Sequence, residues 1–118
     1  MKTNTITPDD GTDLRDPSPT TLFEAFASPR RQRLLQYLAH KPGAVLLGDL
    51  AEYIAIAEGE PTRDRYERVL VSLSHQHVPH LVDAGLVQYD GEREMVTLST
   101  DPETIRPYVD LASLSSLD

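Results

Sequence analysis

Arg65, Arg68, Ser72, His75 and Gln76 fall on one side of a helical wheel drawn from Asp64 to Ala84. Side chains of these types read nucleic acid. Arginine pairs bidentately with guanine, glutamine pairs with adenine, and serine and histidine reach base edges or phosphates. Pro79 shares this face, and Val71 and Val82 edge it without offering hydrogen bonds. A solvated polar face is the ordinary alternative for any surface helix. Arg30, Arg31 and Arg33 cluster where another helix begins, a setting that suits a phosphate. In so acidic a chain the same arginines also suit pairing with nearby carboxylates. Arg93 is a further phosphate or minor-groove candidate, flanked by the repelling Glu92 and Glu94.

Other chemistries find less support. His77 and His80 are three residues apart and share a helix side, but His75 points elsewhere and His40 lies on another helix. Two histidines without cysteine or an adjacent carboxylate make a poor metal site, so no metal is expected. His77 falls on the core side and reads as a buried, hydrogen-bonded histidine. The sequence has no Gly-rich phosphate loop, no serine elbow and no acid pair in an apolar setting, so neither catalysis nor a cofactor is expected. Glu52, Glu58, Glu60 and Glu67 read as surface solvation.

The elements that would hold these residues follow from pattern. Residues 1–18 are polar and acidic without periodicity and are expected to be a disordered tail. Pro19-Thr20-Thr21 opens a short helix that covers Leu22 to Ala27. Ser28 then caps a helix with Pro29 at its first position, running to His40 and ended by Lys41-Pro42-Gly43. Ala44 to Leu47 is a short strand or an extended lead into a helix from Gly48 to Ala57. Glu58 to Thr62 breaks that helix. The long pattern from Asp64 carries Tyr66, Val69, Leu70, Leu73, His77, Leu81 and Ala84 on its inner side. Pro79 should bend it. It stops at Gly85 and runs into two strands, Leu86 to Asp90 and Met95 to Leu98, around a turn at Gly91 to Glu94. Asp101-Pro102 opens a last helix to about Leu114, which Pro107 bends or delays.

A helix that ends on glycine and enters a hairpin is how a winged helix-turn-helix is built. Val78 to Val87, with Leu81, Ala84-Gly85 and Leu86-Val87, resembles the junction between reading helix and wing in ArsR-type and MarR-type repressors. Phe26 to Leu38, with Ser28-Pro29, Arg31, Leu34-Leu35 and Leu38, resembles the opening of the same repressors. Together with His75-Gln76-His77-Val78-Pro79 the combination resembles a haloarchaeal winged-helix domain family. The similarity spans roughly Leu22 to Leu98. It implies a mainly α fold with a small β-hairpin, in which residues 19–100 form the winged-helix domain. It also implies dimerisation through terminal helices. Residues 101–118 and the first helix would supply the contact, through Leu22, Phe23, Phe26, Ile105, Tyr108, Val109 and Leu111.

At 118 residues the chain has room for one small domain with tails. No apolar run approaches membrane-spanning length and no apolar block marks the first residues, so a cytoplasmic location without membrane contact is expected. Cysteine is absent, which excludes disulfides and thiolate chemistry. The net charge is −8 and lysine occurs only at positions 2 and 41. Most DNA-binding domains are basic, because neutralised phosphates supply affinity. An acidic, arginine-biased surface fits life in high salt, where counterion release weakens and shape and base contacts must carry more. Two functions remain open at this level. One is a dimeric DNA-binding transcriptional regulator. The other is a winged-helix interaction module that leaves DNA alone. An effector pocket is not legible.

Overall fold

The structure is a computed structural model that describes residues 16–116. The expected disordered tail lies outside the described residues up to position 15. The Ser18 side chain accepts the Thr21 N–H, capping α1 (Pro19–Ala25), which opens at Pro19 as expected and ends two residues before Ala27. Ser28 caps α2 (Pro29–His40) by accepting the Arg31 N–H at 3.3 Å, with Pro29 at the first turn as expected.

Strand β1 (Val45–Leu46) leads directly into α3 (Leu47–Ala57). The chain then turns at Glu58–Thr62 into a long helical segment in three parts. These are α4 (Arg63–Ser72), a π-helical turn (Leu73–His77) and α5 (Val78–Asp83). Proline chemistry accounts for the middle part. Pro79 has no N–H for the carbonyl four residues back, at His75, and its ring would crowd that carbonyl. The backbone widens just there, with the Val78 N–H reaching Leu73 O five residues back. The segment therefore stays helical through Pro79.

Gly85 ends α5. At φ +79° it takes the left-handed conformation, with Gly85 N–H bonded to Val82 O and Leu86 N–H to Leu81 O. That double closure satisfies the last carbonyls and aims the chain into β2 (Val87–Asp90). A turn then leads to β3 (Met95–Leu98). The hairpin is one part of a three-stranded antiparallel sheet of order β1-β3-β2, in which Val45 faces Val96 and Tyr89 faces Val96 from the other side. The Leu47 N–H donates to Glu94 O at 2.8 Å and ties the hairpin turn to the start of α3. The final helix, α6 (Pro102–Ser116), starts on Asp101, whose carboxylate accepts the Glu103 N–H. It contains Pro107.

The order helix, strand, helix, long helical segment and hairpin is a winged helix-turn-helix, mainly α with a small sheet. One core joins all of it. Leu34, Leu35 and Leu38 meet Leu50 and Ile54 of α3, Val69, Leu73 and Leu81 of the long helical segment, and Leu86 and Val96 of the sheet. Each fully buried leucine or isoleucine of this kind is worth about 2–5 kcal/mol against alanine. Among the described residues no helix is long and apolar enough to cross a membrane.

The core also claims part of the expected dimer face. Leu22, Ile105 and Val109 are buried within the chain, where α6 packs on α1 and α2. They therefore form no exposed stripe, and their assignment to a dimer interface is corrected. Four of the seven residues remain available. Phe23 and Leu111 are 64% and 59% exposed, and Phe26 and Tyr108 are half-buried. The Tyr108 ring lies 5.4 Å from Phe23 and 5.8 Å from Phe26.

Candidate functional site

The polar face of the long helical segment separates into two groups once its neighbours are in place. Arg65 belongs to a structural cluster. Gly59, at φ +85°, closes α3 with Glu60 N–H on Ala55 O and sets Glu58 and Glu60 beside the start of α4. The Arg65 guanidinium donates to Glu58 Oε1 at 2.9 Å and also to Glu60. Arg30 comes from α2 to the same carboxylate, with Nε 2.7 Å from Oε2 and Nη2 3.0 Å from Oε1. Glu58 is thus the hub of a partly buried clamp between α2, the turn after α3 and α4. The Arg30 hydrogen bond holds its carboxyl below the usual range, against the opposing effect of burial, with Arg65 adding to the lowering. Glu58 thus engages both the Arg30 and Arg65 guanidinium groups, which makes them poorer DNA contacts than an open arginine although about a quarter of each side chain stays exposed. Glu58 is therefore no solvating surface acid.

Arg31 is structural too. Its Nε donates to Ala25 O and Nη2 to Glu24 O, both at 3.0 Å, which satisfies the open carbonyls at the end of α1. Its Nη1 lies 3.3 Å from Nδ1 of His77. His77 is buried on the core side, as its place on the wheel predicted. Burial lowers its pKa first, and the nearby Arg31, Arg30 and His80 charges lower it further. Neutral His77 accepts from Arg31 at Nδ1 and carries its proton on Nε2. Arg31 is corrected as a phosphate ligand.

The second group is open. Arg68 is exposed and among the described residues pairs only with Asp64 one turn earlier, at 3.1 Å. Arg63 pairs in the same way with Glu67 at 3.3 Å. Exposed pairs of this kind are worth under about 1 kcal/mol and exchange readily. His75 and Gln76 are exposed and Ser72 is half-buried. The side chains of Ser72, His75 and Gln76 have no hydrogen-bond partner among the described residues. The π turn places His75 and Gln76 on the outer side while His77 and Val78 go inward. Val71 and Val82 are exposed on the same segment. On the hairpin, Arg93 is exposed and stands 3.8 Å from Asp90, whose other oxygen accepts the Glu92 and Arg93 N–H groups.

The structure therefore brings Arg68, Ser72, His75 and Gln76 onto one accessible helix and leaves Arg93 at the tip of the hairpin. It engages Arg30 and Arg65 with Glu58, and Arg31 with the end of α1 and His77. The reading of the sequence missed the hub role of Glu58. The Glu58-Gly59-Glu60 turn three residues before an Arg-rich helix start was the signal for part of it. Nothing local marked Arg30, 28 residues away in the chain.

Residues 23–97 match the family described as a domain of unknown function, DUF7344. No curated protein and no solved structure matches the chain. Since that match takes in more than half of its length, from the first helix to the last strand of the hairpin, the chain belongs to the DUF7344 family.

Proposed function

We propose that this chain is a DNA-binding transcriptional regulator that reads the major groove with the outer face of its π-widened helix. One observation carries the reading. Exposed His75 and Gln76, with half-buried Ser72 beside them, offer donors and acceptors on the outer side of the long helix of a winged fold, with no side-chain hydrogen-bond partner among the described residues. Residue types able to pair with base edges are left unpaired at the position where such a fold meets DNA. Arg68 adds a guanidinium held among the described residues by one exposed pair. Among the described residues Arg30, Arg63, Arg65, Arg93 and Arg106 also pair with the chain's own acids, so affinity rests on base contacts and shape more than on phosphate charge. Working as a homodimer, it would present two such helices to two half-sites. The exposed Phe23 and Leu111, with Phe26 and Tyr108 beside them, are the apolar surface for that contact.

The test is selection of duplexes from a randomised pool in molar KCl, with the protein's mass in solution measured alongside. Enrichment of a pseudo-palindromic sequence by a dimer is the expected result. A folded protein that enriches nothing removes the reading. It would favour a protein-interaction module, for which the exposed Val71 and Val82 on the same helix are the supporting feature.

A further inference from the structure

A cavity of about 590 Å³ opens between the start of α3, the start of α4 and the hairpin turn. It lies apart from Ser72, His75 and Gln76, and its volume falls within the range of small-molecule sites. Its walls are of two kinds. Leu46 and Ile56 are both about half exposed and stand beside Pro61 and the Tyr66 ring. Asp49, Glu52 and Glu94 supply three carboxylates from two separate elements.

These acids differ from most others near the reading helix. Glu58, Glu60, Glu67 and Asp64 each hold an arginine. Asp49, Glu52 and Glu94 have no cationic partner among the described residues. The lining's single cation, Arg63, is engaged with Glu67. The Tyr66 hydroxyl also lacks a hydrogen-bond partner among the described residues. It stands 3.0 Å from where a Cβ on Gly48 would be. Gly48 thus leaves room for a phenol on the cavity wall.

We infer that this cavity binds a small organic cation, an ammonium group on an apolar body. The apolar walls would take the body, the carboxylates the charge, and the Tyr66 hydroxyl a polar substituent or the ammonium itself. A bare metal ion fits less well. Among the described residues no three of His, Asp and Glu stand close enough together to hold one, so the negative charge is spread around an apolar space. An anion would meet uncompensated carboxylates. The inference rests on the cavity alone and does not depend on DNA binding.

The test uses phenethylammonium as probe, titrated into ¹⁵N-labelled full-length chain at the lowest KCl that keeps it folded. The controls are 2-phenylethanol, a neutral isostere, and phenylacetate, its anionic counterpart. The expected result is saturable binding with amide shifts confined to Leu46–Ile56, Thr62–Tyr66 and Glu94. The alcohol should bind at least about tenfold weaker, the equivalent of one close charge contact, and the acid not at all. Asp49→Asn/Glu52→Gln should weaken the amine by a similar factor while leaving the alcohol unchanged. Both sites are exposed, so the variant keeps the fold. Gly48→Ala, which displaces only the end of the Tyr66 side chain, should weaken the amine as well. Absence of saturable amine binding overturns the inference, and so does equal binding of the amine and the alcohol.

Discussion

Replacing Glu58 by glutamine tests the clamp that engages Arg30 and Arg65. The wild-type carboxylate accepts hydrogen bonds at 2.7 and 3.0 Å from Arg30 and at 2.9 Å from Arg65. Glutamine keeps the shape but offers one neutral oxygen, and it leaves two guanidinium groups facing each other. Losing charge-assisted bonds at a partly buried site costs about 1–3 kcal/mol. The Glu58 and Arg30 side chains are 19% and 26% exposed, so solvent screens part of this and about 1–2 kcal/mol is expected. For a domain of this size that lowers Tm by about 5–15 °C. The assay is thermal and urea unfolding followed by circular dichroism. A double-mutant cycle with Arg30→Ala should give a coupling of at least about 1 kcal/mol. The effect should persist in molar KCl, because partly buried pairs are screened less than surface ones. Acid should reproduce it. The folded-state pKa of Glu58 lies below its unfolded value, so its stabilisation is present above the usual carboxylate range and is lost as pH falls through the lowered value. A Glu58→Gln protein within about 0.5 kcal/mol of wild type would refute the clamp and place Arg30 and Arg65 beside Arg68 among the DNA-contact candidates.

Three further outcomes follow from the same contacts. His77 has a lowered folded-state pKa, so the unfolded chain binds its proton more readily. Stability should be full above about pH 6.5 and fall as pH drops below it, and His77→Gln should flatten that slope in urea titrations from about pH 7.5 to about pH 5. Gly85→Ala puts a Cβ on a left-handed residue at φ +79° with open space around it, so conformational strain alone should cost about 1–2 kcal/mol in unfolding experiments. Phe23→Ser/Leu111→Ser removes the exposed apolar contribution of α1 and α6 without touching the core, and should lower the dimer fraction by sedimentation while preserving Tm measured on the monomer.

Local chemistry made much of this fold readable in the sequence. Ser28-Pro29 marks a capped helix start, Gly85 a helix end, and the run from Leu86 to Leu98 a hairpin, because each depends on neighbours within a few residues. The register of Val45 against Val96 spans half the chain, so Ala44–Leu47 stayed ambiguous between a strand and an extended lead. Pro79 signalled a perturbed helix, but the π turn that absorbs it upstream depends on how Leu73, His77 and Val78 pack. The candidate site was harder to read. A helical wheel ranks Arg65 with Arg68 because it sees one helix only. Arg65 is engaged by Glu58 and Glu60 from the preceding turn, and Arg68 is left open. The terminal-helix stripes misled for the same reason. Leu22, Ile105 and Val109 find one another within the chain and need no second copy.

The most direct measurement is an anisotropy titration of a selected duplex, in molar KCl, with three proteins in parallel. Wild type should bind it in preference to random duplex. Ser72→Ala/Gln76→Ala should lose that preference, with about 1–3 kcal/mol of discrimination removed per base contact, while Tm stays near wild type. Arg65→Ala should lower Tm and leave sequence preference intact, because its guanidinium serves the fold. If preference survives in Ser72→Ala/Gln76→Ala and vanishes in Arg65→Ala, or if wild type shows none, the outer face of this helix is not a DNA-reading surface.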